Sequence, residues 1–159
     1  MNAVKSILFI LLLLNGQALA ASEKLPLPRF ASLRSNKVNI HVGPGADFPV
    51  EWMFQRQGLP IEIIAEFDTW RQIRDMEGTT GWVHKSLLVG KRNAIVINEK
   101  KPLKKSAKVD ASVVVYLEPG VVTKIKQCKE EWCRLEIKGH DGWIERKHIW
   151  GIYPHEEKF

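Results

Sequence analysis

The sequence predicts an all-β protein built from two small repeated modules, and three observations carry that expectation. Apolar and polar residues alternate through short runs, turn-forming residues close each run, and the chain matches itself at an offset of about 62 residues. No stretch with the period of a helix competes with the short runs after Ala20.

The first module opens on Val38, Ile40 and Val42, whose spacing of two puts them on one side of a strand. Gly43-Pro44-Gly45 closes that strand as a turn. Val50, Trp52 and Phe54 make the next run, ended by Gln57-Gly58, and Leu59, Ile61 and Ile63 the one after it. Asp68-Thr69 then turns the chain into a strand that starts at Trp70 and carries Ile73. Glu77-Gly78 precedes the run marked by Trp82-Val83.

Shifted by about 62 residues, Gly58 falls on Gly120 and Trp70 on Trp132. With one residue removed, Gly81-Trp82-Val83 falls on Gly142-Trp143-Ile144; upstream, with one added, Val50 falls on Val113. The segments Asp68 to Ile73 and Glu130 to Leu135 share one plan: two polar turn residues, a tryptophan, two spacers and an aliphatic. Two modules are therefore expected, at 30–90 and 94–153, with a short junction near Gly90 to Ala94 and a polar tail at 154–159. A domain of roughly 60 residues buries only about 60% of its unfolded surface, so the two should gain by packing together.

Residues 1–20 read as a secretory signal peptide. Lys5 is followed by an apolar run from Ile7 to Leu14 and by Ala18-Leu19-Ala20, which sets the expected cleavage after Ala20. The run is too short to span a bilayer, which takes roughly 20 residues. No cysteine lies near the cleavage point to take a lipid. The expectation is a protein exported to the periplasm or outside, with no stable membrane insertion.

Cys128 and Cys133 are the only cysteines. A close pair in an oxidising compartment reads as a disulfide, against unpaired structural thiols or a redox cysteine. The spacing does not suit a metal site, and nothing nearby would serve a catalytic thiol as its base. The formal charge is +6, and it is uneven. From Ala21 to Gly90 eight basic residues balance eight acidic ones; from Lys91 to Phe159 there are fifteen basic and ten acidic.

The order of turn, Trp, aliphatic, Gly-containing turn and Gly-Trp-Val resembles the bacterial SH3-like domain family. Its opening Asn-Val-Arg-x-Gly-Pro is matched by Asn39-Ile40-His41-Val42-Gly43-Pro44-Gly45. The second copy keeps a worn opening at Pro102-Leu103-Lys104-Lys105-Ser106 and a good ending, from Trp132-Cys133-Arg134-Leu135 through Gly142-Trp143-Ile144 to Ile149-Trp150-Gly151. The resemblance spans Leu33 to Trp150. It implies two tandem, partly open SH3-like barrels of five or six strands, of a kind found in envelope proteins that bind cell-wall glycan, peptide or protein partners. It does not imply one ligand.

Trp70 and Trp132, each just after a polar turn, are expected at the barrel rim, where an indole can stack on a ligand, and Trp82 and Trp143 in the core. Around the cleft of the first module Asp47, Phe48, Trp52, Arg71 and His84 are the other candidate contacts. Aromatic platforms with a guanidinium suit a sugar ring, a carboxylate or a proline-rich strand. Lys100, Lys101, Lys104 and Lys105, with Lys91, Arg92 and Lys108 beside them, form a basic run that would attract an anionic polymer if strand pairing gathers it on one face. His41, His84, His140, His148 and His155 fit no zinc pattern, and no nucleophile elbow or phosphate loop occurs. The expectation is a binding protein, not an enzyme, with no cofactor and no metal. Its partner would be a cell-wall or other anionic envelope polymer, or alternatively an envelope protein; export argues against nucleic acid.

Overall fold

The computed structural model describes residues 24–159, and the expected signal peptide lies outside them. The first module consists of β1 (Arg29–Leu33), β2 (Val38–His41), β3 (Val50–Phe54), β4 (Pro60–Phe67), β5 (Trp70–Arg74), β6 (Thr80–His84) and β7 (Leu88–Val89). The second repeats it as β8 (Asn93–Val96), β9 (Lys101–Lys104), β10 (Val113–Leu117), β11 (Val122–Lys129), β12 (Trp132–Ile137), β13 (His140–Glu145) and β14 (Ile149–Trp150). The sheet orders correspond strand for strand: β3-β2-β6-β5-β4-β1-β7 and β10-β9-β13-β12-β11-β8-β14. Neither sheet closes on itself, so each is a partly open barrel, with seven strands where five or six were expected. The additions are the two-residue β7 and β14, each set beside β1 or β8 after a single 3-10 turn. A run that short is below what alternation can signal.

Alternation builds each core. Leu33, Val38, Ile40, Ile61, Ile73 and Val83 fill the first, and Val96, Leu103, Ile125, Leu135 and Ile144 the second. β2 ends at His41, which leaves Val42 exposed although the sequence pattern placed it with Val38 and Ile40. The long strands β4 and β11 each carry an irregularity at the equivalent place, between Ile63 and Ala65 and between Ile125 and Gln127, which bends them around the core. Gly58 and Gly120, aligned by the repeat, adopt the same left-handed backbone with φ of +78° and +80°.

The Gly-Trp-Val segments correct one expectation. A Cβ on Gly81 would lie 2.3 Å from Ile40 Cγ2, and one on Gly142 would lie 2.7 Å from the Lys104 carbonyl oxygen, so each glycine is where a neighbouring strand crosses closely. Glycine and valine share the inner face, and Val83 and Ile144 are the core residues. Trp82 and Trp143 fall between them on the opposite face, where they are half-buried.

Cys128 and Cys133 sit directly opposite each other on β11 and β12 and are disulfide-bonded, with Cα atoms 4.0 Å apart. Both are buried in the second core. The bond pins a hairpin whose two-residue turn is Glu130-Glu131.

The modules are joined by more than a linker. Phe30 of β1 meets Trp150 edge-on at 4.9 Å between ring centroids and Tyr153 at 4.7 Å. Arg92 lies over the Phe30 ring and pairs through both terminal nitrogens with the Glu156 carboxylate. The Tyr153 hydroxyl donates to Glu62 Oε1 at 2.5 Å, and Glu62 Oε2 accepts from Nε and Nη2 of Arg74. The segment expected as a polar tail is thus partly built in: Cys128 N–H donates to the Glu157 carbonyl, and Glu156 N–H to that of Tyr153.

Candidate functional site

The outer face of β2, β6 and β5 gathers the aromatic residues the core does not use. Trp70 lies opposite His84, Gln72 opposite Trp82, and His41 opposite Trp82 across adjacent strands. His41 and His84 flank the Trp70 indole, at 5.1 and 5.7 Å between ring centroids and with rings nearly perpendicular to it. These side chains border a groove of about 520 Å³, completed by Lys37, Asn39 and Met53. Its lining mixes apolar and aromatic side chains with a few polar ones, the composition common to small-molecule sites.

Hydrogen bonds assign the two imidazoles different roles. His41 Nδ1 is 2.7 Å from the Phe48 carbonyl oxygen, so it carries a proton and donates, which leaves Nε2 an acceptor in the neutral ring. His84 Nδ1 accepts from Ser86 N–H at 3.3 Å and lies 2.7 Å from Ser86 Oγ, which puts the ring proton on Nε2. The groove therefore has one acceptor and one donor imidazole on either side of an indole.

The structure gathers some of the expected contacts and separates others. Phe48, in the loop after β2, is 45% exposed and does not line the groove. Its ring lies against the backbone at Gly43 and Gly45, and a Cβ on Gly43 would be 2.3 Å from Phe48 Cδ1, so this loop needs glycine there. Phe48 also orients His41 through its carbonyl. Asp47 is exposed beside it. Trp52 is not in the groove, because it faces inward and packs on the first core.

Arg71 is also outside. It follows Trp70 on β5, so its side chain takes the other face of the sheet, where Nε pairs with Glu66 Oε1 at 2.9 Å. That glutamate also binds Arg29, and chiefly this hydrogen bond holds its carboxyl below the usual range.

The second module lacks the same arrangement. Where the first has His41 and His84, the equivalent positions beside Trp132 and Trp143 are Lys104 and Glu145. Lys104 Nζ donates to the Val109 carbonyl and Glu145 pairs with Lys147. The basic run is matched in part: Lys100 pairs with Glu118 and Lys101 with Glu99, each at 2.5 Å, while Lys105 is exposed. Four lysines in sequence do not make one free cationic surface here. The groove residues missed from the sequence include Lys37, Asn39, His41 and Met53. For Asn39 and His41 the signal was present, since they alternate with the core residues Val38 and Ile40.

A family model described as the bacterial SH3 domain matches the chain twice, over residues 34–90 and 100–151. No curated protein gives a match. Among solved structures the chain is similar to NlpC1 from Trichomonas vaginalis, with 12% identity and a TM-score of 0.35 over 82% of this chain and 48% of that one. It is similar to NlpC2 from the same organism at 11% identity and a TM-score of 0.36, over 80% and 49%. The chain spans about half the length of those two proteins, and likeness at this level carries no functional argument. Two family matches on two repeated seven-stranded sheets place the chain in the bacterial SH3 domain family.

Proposed function

We propose that this is an exported, non-catalytic binding protein of the cell envelope, and that the Trp70 groove of the first module takes a cell-wall glycan. The observation that supports this reading most is the Trp70 indole set between an acceptor and a donor imidazole. A sugar ring has an apolar C–H face and a rim of hydroxyls that both donate and accept, and such a groove meets both needs. Bacterial SH3 domains are typical of envelope proteins, which agrees with a leader-like start at Met1 to Ala20.

A second reading, an envelope protein as partner, draws on the exposed apolar side chains of Phe48, Val50 and Met53 along the same face. Co-sedimentation with purified, protein-free sacculi, run beside a pull-down from envelope extract, separates the two. Pelleting with bare sacculi supports the glycan. Failure to pellet together with stoichiometric recovery of one protein overturns it in favour of the partner.

A further inference from the structure

Three cations from separate segments of the chain meet at the seam between the modules. A recess of about 550 Å³ there is lined by Ser32, Arg34 and Gln57 from the first module and by Lys91, Asn93 and Lys124 from the junction and the second. Three of its lining side chains are cations and none is an acid. Among the described residues, no carboxylate lies within ion-pair distance of Arg34, Lys91 or Lys124.

The cations are mounted on fixed backbone. The Ser32 hydroxyl donates to the Lys91 carbonyl at 2.8 Å, Gln57 Nε2 donates to the Arg34 carbonyl at 2.8 Å, and Asn93 Nδ2 donates to the Gly58 carbonyl at 2.7 Å across the seam. Arg34 spends one Nη2 bond on the Leu88 carbonyl and keeps most of its five donors.

We propose that this seam binds a linear polyanion through its phosphate or carboxylate groups, with both modules contributing charge. Like charges held in one concave recess that no acid lines, with Glu136 across the strand pair from Lys124 already held by Lys126, raise the local potential and attract a multiply charged chain more than they would dispersed. A guanidinium can take an oxyanion with two parallel bonds, and the lysines add point charges beside it. The inference rests on its own lining residues and not on the Trp70 groove, so either can fail alone.

The test is a titration of the exported chain with polyphosphate and, separately, with polygalacturonate, using dextran as the neutral control, at about 0.05 M and about 0.2 M salt. The variant R34Q/K91Q/K124Q removes only exposed charges, and K100Q/K105Q/K108Q removes the same number from exposed positions elsewhere. The first should weaken polyanion binding by roughly tenfold or more and flatten its salt dependence, the second by about threefold or less. Trp70→Ala should leave polyanion binding unchanged. Binding of polyphosphate alone identifies phosphate as the group recognised, and of polygalacturonate alone, carboxylate. Equal losses in the two triple variants, or no binding of either polymer, would overturn the proposal.

Discussion

Replacing Tyr153 with phenylalanine removes one oxygen and leaves the ring on Phe30 in place. The lost bond, from the hydroxyl to Glu62 Oε1 at 2.5 Å, is charge-assisted and reaches a carboxylate that is only 6% exposed. Bonds of that kind contribute about 1.5–3 kcal/mol. Because Arg74 still satisfies the other Glu62 oxygen through two bonds, the lower end applies, about 1.5 kcal/mol. For a chain of this size that lowers the melting temperature by roughly 3–6 °C.

Tyr153→Ala should cost about 1–3 kcal/mol more, since the aromatic contact with Phe30 goes too. Scanning calorimetry measures both, and a double-mutant cycle with Glu62→Gln isolates the pair. If the C-terminal segment ties the modules together, the wild type melts in one transition and Tyr153→Ala separates it into two. A Tyr153→Phe melt within about 1 °C of wild type would refute this account of the junction.

Three further outcomes are expected. Gly142→Ala places a Cβ 2.7 Å from the Lys104 carbonyl oxygen and 2.8 Å from Leu103 Cγ, an overpacking cost of about 1–3 kcal/mol, whereas Gly90→Ala meets nothing within 4 Å and should melt near wild type. Acid should weaken the fold in two steps. Burial, then Lys101, pushes His148 below its usual 6.5, so the unfolded chain protonates first and stability starts to fall as the pH drops through that value. Glu156 would be raised by burial, but Arg92 and the Tyr153 N–H outweigh that, and both it and Glu66 sit below the usual 4.5; the stability they contribute above that value is lost as the pH falls beneath it. Melting curves from pH 8 to about 3 check this, and a flat profile below pH 4.5 would contradict it. Removing both cysteines as C128A/C133A opens a ring of very few residues, worth about 2 kcal/mol, and free-thiol labelling of the unreduced, denatured wild type should find none.

The fold was legible where physics is local and repeated. Val38 and Ile40, and Ile61 and Ile63, announce inward faces by their spacing, and the repeat carries those assignments into the second module. β1 and β8 were not legible. Phe30, Ala31, Ser32 and Leu33 are all buried, because the far side of β1 is covered by Trp150 and Tyr153, and a strand covered on both faces shows no alternation.

The tryptophans after glycine were misassigned by size: a large ring suggests a core, but parity on the strand decides, and it favours the smaller Val83 and Ile144. Parity also separates Arg71 from Trp70. Whether the lysines of the second half form one patch was not legible, because sequence cannot show that Glu118, far along the chain, folds back onto Lys100. The seam cations Arg34, Lys91 and Lys124 come from three separate segments, so only the packing of the modules brings them together.

The central claim, that the first module's outer face contacts the ligand and the second's does not, is tested most directly by sacculus binding isotherms for Trp70→Ala and Trp132→Ala. Met53→Glu, at a side chain 42% exposed, tests the same groove without touching the core. Trp70→Ala is expected to weaken binding by about 2 kcal/mol, roughly 30-fold, and Met53→Glu to weaken it in the same direction. Trp132→Ala should stay within about threefold of wild type. Equal losses for the two tryptophan variants, or full binding by Met53→Glu in a protein with a wild-type melt, would contradict the claim.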